Sequence, residues 1–335
     1  MGLRRPALPD VLFAGVVLGL TFLAARVWWL THVVPGMDYP QFLVFVRAVR
    51  DMGDPSSPFH GTYTTGPWFV PTSLPVHFTS LLSRLFPGPH AIESAGKLLL
   101  TLQNVGLVGA MFYLLRALDR PRWGIVLVFP LVHSIWTVVC GFAAFATSLP
   151  LVVLTWGLTV TWLRRLDVRS GALLAATLCV VLLWHGLGYS QAGLGFAVLW
   201  ALWRAPSWRA RLRSVAPTVP SLLQYAIWMR TTFSEPRGQS NWTPPWDSVD
   251  QILHLVWYWT PHRTGVSLVF CFLVGLSMAV NHRNQGIRRA SRVWRVDNPM
   301  LLLSLVYMAG YFLLPNDMKG VEGVSNRFPY AGALA

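Results

Sequence analysis

Charged side chains are scarce in this chain of 335 residues: 12% are Asp, Glu, Lys or Arg, and only 13 are acidic. A soluble domain has roughly a quarter of its residues charged, so a water-facing enzyme is excluded. So is a disordered chain, because 54% of the residues are hydrophobic and such a sequence collapses. Cysteine is nearly absent as well: Cys140, Cys179 and Cys271 all stand in apolar runs, which excludes a secreted disulfide scaffold and reads as small buried hydrophobes. There is no His-x-x-x-His on one helix, no cysteine pair, no phosphate-cradling glycine loop, no dinucleotide fingerprint and no nucleophilic triad. Metal-hydrolase, nucleotide-dependent and serine-hydrolase chemistries therefore have no signature here.

What the chain has is apolar length. Mean hydropathy is +0.47, and 17 Trp, nine Tyr and 18 Phe suit rings that settle at membrane interfaces. Runs of about spanning length fall at 11–30, 91–115, 123–140, 142–163, 171–185, 187–203, 214–230, 264–281 and 299–315. These predict an all-α, polytopic transmembrane helix bundle of about nine spans forming one domain over 1–335. Ala331–Ala335 read as the opening of a tenth span, so the expectation is a chain incomplete at its C-terminus. Arg4 and Arg5 ahead of an apolar run also suit a secretory signal, but Arg26, Val27, Trp28 and Trp29 follow Ala24 and Ala25 at once, and an uncleaved first span is the favoured reading.

The net charge of +14 would suggest nucleic acid in a soluble protein; its distribution says otherwise. With the N-terminus in the cytoplasm, the inner stretches are the N-terminus, 116–122, 164–170, 204–213 and 282–298. They hold seventeen of the 27 basic residues against Asp10, Asp119, Asp167 and Asp297. The remainder of the chain is close to neutral. That is the positive-inside bias, and it sets the expected orientation in a bacterial cytoplasmic membrane.

The outer side then carries 31–90, 231–263 and 316–328. Residues 40–50 fit an amphipathic helix along the outer membrane surface, with Phe42, Phe45, Val46 and Val49 on one face and Gln41, Arg47 and Arg50 on another. Asp38 is held between the first span and that helix by Pro35, Gly36 and Pro40. On residues alone it is either a helix N-cap or a carboxylate placed for chemistry. Trp242, Trp246, Trp257, Tyr258 and Trp259 in 231–263 suit either sugar stacking or an interfacial belt. Lys97 lies one helical turn after Glu93, which predicts an ion pair. Gly186, Gly188, Gly193 and Gly195 predict close helix packing. His185, at an outer span end, is either a substrate ligand or a histidine bonded inside the bundle.

A lone Asp outside the first span, an amphipathic helix after it and a polytopic body resemble the GT-C superfamily of integral membrane glycosyltransferases. Trp136–Phe145 is similar to the aromatic-Gly-Phe hairpin of bacterial members, and Leu313–Asp317 with Gly320, Gly323 and Ser325–Phe328 is a third likeness. The resemblance implies a polyprenyl-phosphate-linked sugar as donor, a lipid, glycan or protein acceptor, inversion at the anomeric carbon, and Asp38 as catalytic base. Many members have a second acid or a His directly after the first, whereas Tyr39, Pro40 and Gln41 follow here, so His60 or Asp54 is expected to supply the partner. The leaving phosphate calls for cations, and Arg327, Lys319 and Arg263 are the outer candidates; for Arg327, an interfacial anchor is the alternative role. No cofactor is expected, with a divalent cation on Asp38 and Asp54 as the variant. A transporter or lipid flippase, and a non-catalytic relative, are the rival readings.

Overall fold

The computed structural model describes residues 8–31, 34, 39–63, 70–122, 124–125, 143–232, 293–296 and 298–314. Those residues are mostly helical, with one isolated β-bridge between Trp203 and Trp294. Ten α-helices are seen: α1 Leu8–Leu30, α2 Tyr39–Asp51, α3 Ser73–Ser83, α4 Ala91–Ala117, α5 Ala143–Arg165, α6 Val168–Trp184, α7 Gly186–Leu202, α8 Trp208–Arg213, α9 Val219–Thr232 and α10 Pro299–Leu313. α1, α4 and α5 are long and apolar enough to cross a membrane; α6 is a shorter apolar helix. The expected spans at 187–203, 214–230 and 299–315 correspond to the shorter helices α7, α9 and α10. All of 264–281, and all but Gly124 and Ile125 of 123–140, lie outside the described residues, as does the expected tenth span.

Helix α5 is the central post, buried almost from end to end and packed on α4, α6 and α7. It runs through Pro150, which removes one backbone bond; in the turn before it the Thr147 hydroxyl donates to the Ala143 carbonyl and the Ser148 hydroxyl to the Phe145 carbonyl. Small residues let the helices close, as expected where dispersion, not exclusion of water, drives association. The Trp156 indole fills the space a side chain on Gly195 would need and lies tilted against the Tyr307 ring, 5.6 Å between centroids. Gly188 likewise admits Ser148, whereas Gly193 faces open space. A single extended residue, His185, joins α6 to α7 as a helical hairpin.

The bundle has two distinct ends. At one, every described Arg-rich connection meets another. Arg122 pairs with Asp10, so the start of α1 meets the turn after α4. Arg164, at the end of α5, donates to Asp119 at 2.9 Å. The Trp162 indole donates to the Ser214 carbonyl, 2.8 Å away, and the Trp200 indole to the Ser214 hydroxyl. Arg295 N and Arg204 N bond Leu202 and Val293 carbonyls. The charge pattern read along the sequence is thus gathered in space. The other end holds α2, α3, the first turns of α4 and α5, and the α6–α7 link.

Candidate functional site at the α2 end

Helix α2 forms where the sequence places it, but its apolar face is committed to the bundle. Tyr39, Phe42 and Val46 are buried with Trp28, Val34, Ile92, Leu99, Leu100, Ala143 and Ala146. Val44 and Phe45 are left exposed on the other side. So α2 packs on α3 and the start of α4, with Trp28 of α1 and Ala143 and Ala146 of α5 in the same cluster, instead of resting on lipid by its whole apolar face.

That packing assembles a polar corner. Tyr39 is 1% exposed, and its hydroxyl lies against the backbone of α4 at Gly96, the one residue type that leaves room for it. Burial first, and then the negative charge of Glu93, push the Tyr39 phenol far above its ordinary range, so it remains a neutral donor. Among the described residues the Tyr39 hydroxyl has no hydrogen-bond partner, and neither does Glu93 Oε2. Two buried polar atoms of opposite hydrogen-bonding sense, without described partners, are rare in a native fold and mark a place where a polar ligand or another part of the chain belongs.

The third member corrects the sequence expectation. Lys97 does not pair with Glu93; its ammonium donates to the Thr31 carbonyl at 2.6 Å. The reason is positional: the last carbonyls of α1 lack partners within that helix, and α4 passes directly below them. The Trp29 indole adds a second tie, donating to the Thr101 hydroxyl at 3.0 Å. With Lys97 spent on a backbone oxygen, Glu93 keeps an unneutralised carboxylate in the corner.

Asp54 and His60 stand on the exposed turn after α2, each bonded within it. Asp54 accepts from the hydroxyl and the backbone N–H of Ser56, at 2.7 and 2.9 Å, which hold its carboxyl below the usual range. His60 Nδ1 lies 3.0 Å from the Met52 carbonyl oxygen. His185 is the N-cap of α7: its Nδ1 accepts from Gly188 N at 3.3 Å, and its ring meets Phe145 edge-on at 5.4 Å. Beside it the Trp184 indole donates to Thr147 and packs on Phe78. Asp38, Arg263, Lys319 and Arg327 lie outside the described residues. No group of three or more His, Cys, Asp or Glu able to hold a metal occurs among the described residues.

Tyr39 and Glu93 were not singled out as site residues from sequence. Glu93 carried a signal, an acid opening an apolar helix, which the i,i+4 lysine masked. Tyr39 carried none, since an aromatic at the start of an amphipathic helix reads as core. Comparison of the chain with protein families, with curated proteins and with solved structures finds no match in any of the three.

Proposed function

We propose that this chain is a membrane glycosyltransferase that moves a sugar from a polyprenyl-phosphate donor to an acceptor hydroxyl, with inversion, at the α2 end of the bundle. The observation that carries the reading is the buried corner of Tyr39 and Glu93. Asp38 immediately precedes Tyr39 in the chain, and this reading assigns its carboxylate to the reaction at that corner. In this reading the second acid that GT-C members carry next to the first is supplied through space by Glu93.

The acceptor oxygen attacks the anomeric carbon and forms the new C–O bond while its proton passes to the Asp38 carboxylate. The bond from that carbon to the phosphate oxygen breaks, and its electron pair leaves on the polyprenyl phosphate. Arg327, Lys319 and Arg263 are the cations assigned to that growing charge. Tyr39 donates to a sugar or acceptor oxygen, and Glu93 accepts from a hydroxyl, so the two orient the pair. No metal is needed for the step as written. The membrane is the bacterial cytoplasmic membrane, with the Arg-rich end inside and the α2 end outside.

The test is transfer in membranes supplied with a polyprenyl-phosphate sugar. Asp38→Asn lowers the rate by about 10³-fold, the scale of a lost general base; an unchanged rate overturns the reading.

A second reading, a transporter or lipid flippase, has one observation in its favour. Half-way along α4, Asn104 is 2% exposed, and its amide, like Gln103 Oε1, has no described partner. Polar groups at that depth mark pathways in carriers. Labelled lipid or sugar crossing reconstituted vesicles without covalent transfer, and lost in Asn104→Leu, would favour it over the transferase.

A further inference from the structure

The Arg-rich end carries a second built feature, about 30 Å from Gly96 along α4 at the helical rise per residue. A groove of about 330 Å³ opens there. It is lined by Phe112 and Arg116 from the last turns of α4 and by Asp119, Arg120 and Arg122 from the turn that follows. The acids at this corner are already used: Asp119 bonds Arg164, and Asp10 bonds Arg122, whose guanidinium also covers the Phe13 ring. Arg116 and Arg120 have no carboxylate within 4.0 Å among the described residues, which leaves two uncompensated cations facing one groove. Arg116 answers part of the negative end of the α4 dipole. Arg120 lies beyond the helix and is half-buried, and burial pulls its guanidinium below the ordinary value, so its charge is short of solvent.

An apolar track leads away from these cations. Leu102, Val105, Gly109, Phe112 and Arg116 recur at offsets of three and four, so they share one face of α4. Leu102, Val105 and Phe112 are 42%, 51% and 41% exposed, and Gly109 has open space beyond its Cα. The track has the length of an acyl chain and ends at the cations. The combination, paired positive charge at the membrane boundary above an exposed apolar face, matches one ligand class in both halves.

We propose that this groove holds the headgroup of an acidic phospholipid, its phosphate between Arg116 and Arg120 and one acyl chain along Leu102, Val105, Gly109 and Phe112. The site is independent of the transferase reading and lies at the opposite end of the bundle. It fixes the register of α4 in the leaflet and screens two cations that otherwise repel across the groove.

The experiment is lipid retention by the purified full chain, read by native mass spectrometry with phosphatidylglycerol and phosphatidylcholine at equal concentration. Wild type retains phosphatidylglycerol over phosphatidylcholine by at least about fivefold, the effect of one cation at an anionic headgroup. Arg116→Gln with Arg120→Gln abolishes the preference, while Arg209→Gln, exposed elsewhere at the same end, keeps it. Equal retention of the two lipids by wild type, or an undiminished preference in the double variant, overturns the proposal. Glycerol 3-phosphate at millimolar concentration leaves the lipid bound; complete displacement would refute the acyl track. If the double variant does not fold, photocrosslinking from a benzoylphenylalanine replacing Phe112 decides. An adduct selective for phosphatidylglycerol supports the site, and equal adducts overturn it.

Discussion

The hydroxyl of Tyr39 occupies the space that a side chain on Gly96 would need, so α2 and α4 meet through one phenol and one missing methyl group. Any side chain at position 96 must displace Tyr39. Gly96→Ala is expected to destabilise the chain by about 1–3 kcal/mol, the cost of overpacking a tight contact. Tyr39→Phe removes the offending oxygen and leaves Leu43 Cδ2 at 3.0 Å and the Tyr39 ring carbon at 3.2 Å from the new atom, contacts that a rotation of the Leu43 side chain and small shifts can absorb. The double variant therefore recovers most of the loss. Thermal unfolding of the four proteins gives the coupling; additive effects would mean that the two residues do not meet.

Glu93 separates activity from stability. Its buried Oε2 has no described partner, so Glu93→Gln breaks no described bond and is expected to change stability by less than about 1 kcal/mol. In the proposed transferase the same change removes an acceptor beside the substrate and lowers sugar transfer by at least about tenfold. Melting temperature and transfer rate measured on one preparation check it. A variant that loses both would make Glu93 a structural group only.

Asp54 and His60 predict the opposite pattern. Both are exposed and bonded within their own turn, so Asp54→Asn and His60→Gln leave transfer unchanged. Asp54 still has a pH signature. Its folded pKa is depressed by Ser56, so the stabilisation it gives is present above its unfolded pKa of about 3.9 and is lost as the pH falls through the lower folded value. The melting temperature should therefore fall less steeply below pH 4 in Asp54→Asn than in the parent, and the difference between the two should be greatest at neutral pH and narrow as the pH falls.

At the Arg-rich end, a buried tie outweighs an exposed one. Trp162→Phe deletes the indole bond to the Ser214 carbonyl, which is buried, at an expected cost of about 1–2 kcal/mol. Arg164→Gln breaks an ion pair whose Asp119 partner is 81% exposed, and pairs of that kind contribute about 0–1 kcal/mol. Thermal unfolding in one detergent ranks them, and a larger loss for Arg164→Gln would reverse the assignment.

Local properties carried far in this protein. α1, α4 and α5 follow from apolar runs, and α2 from helical spacing of Phe42 and Val46, because each depends on neighbours within one or two turns. The five basic stretches could be grouped without coordinates, since lipid sorts charge by the number of crossings, and the contacts of Arg122 with Asp10 and Arg164 with Asp119 agree. Pairings across the fold did not carry. Spacing placed Lys97 on Glu93, yet the unpartnered end of α1 took the lysine; for His185 the favoured reading was a histidine bonded to a neighbour in the bundle, and it is bonded, as the cap of α7.

The order of residues along the chain determined that it is helical, with helices long and apolar enough to cross a membrane, and that its basic stretches alternate with apolar runs, because those properties depend on neighbours in sequence and not on which helices touch. The tertiary structure decided that Tyr39, Gly96 and Glu93 share one corner and that Arg116 and Arg120 share one groove. Sequence separation holds no record of such meetings: they arise only when helices tens of residues apart pack at a distance set by the smallest side chain between them.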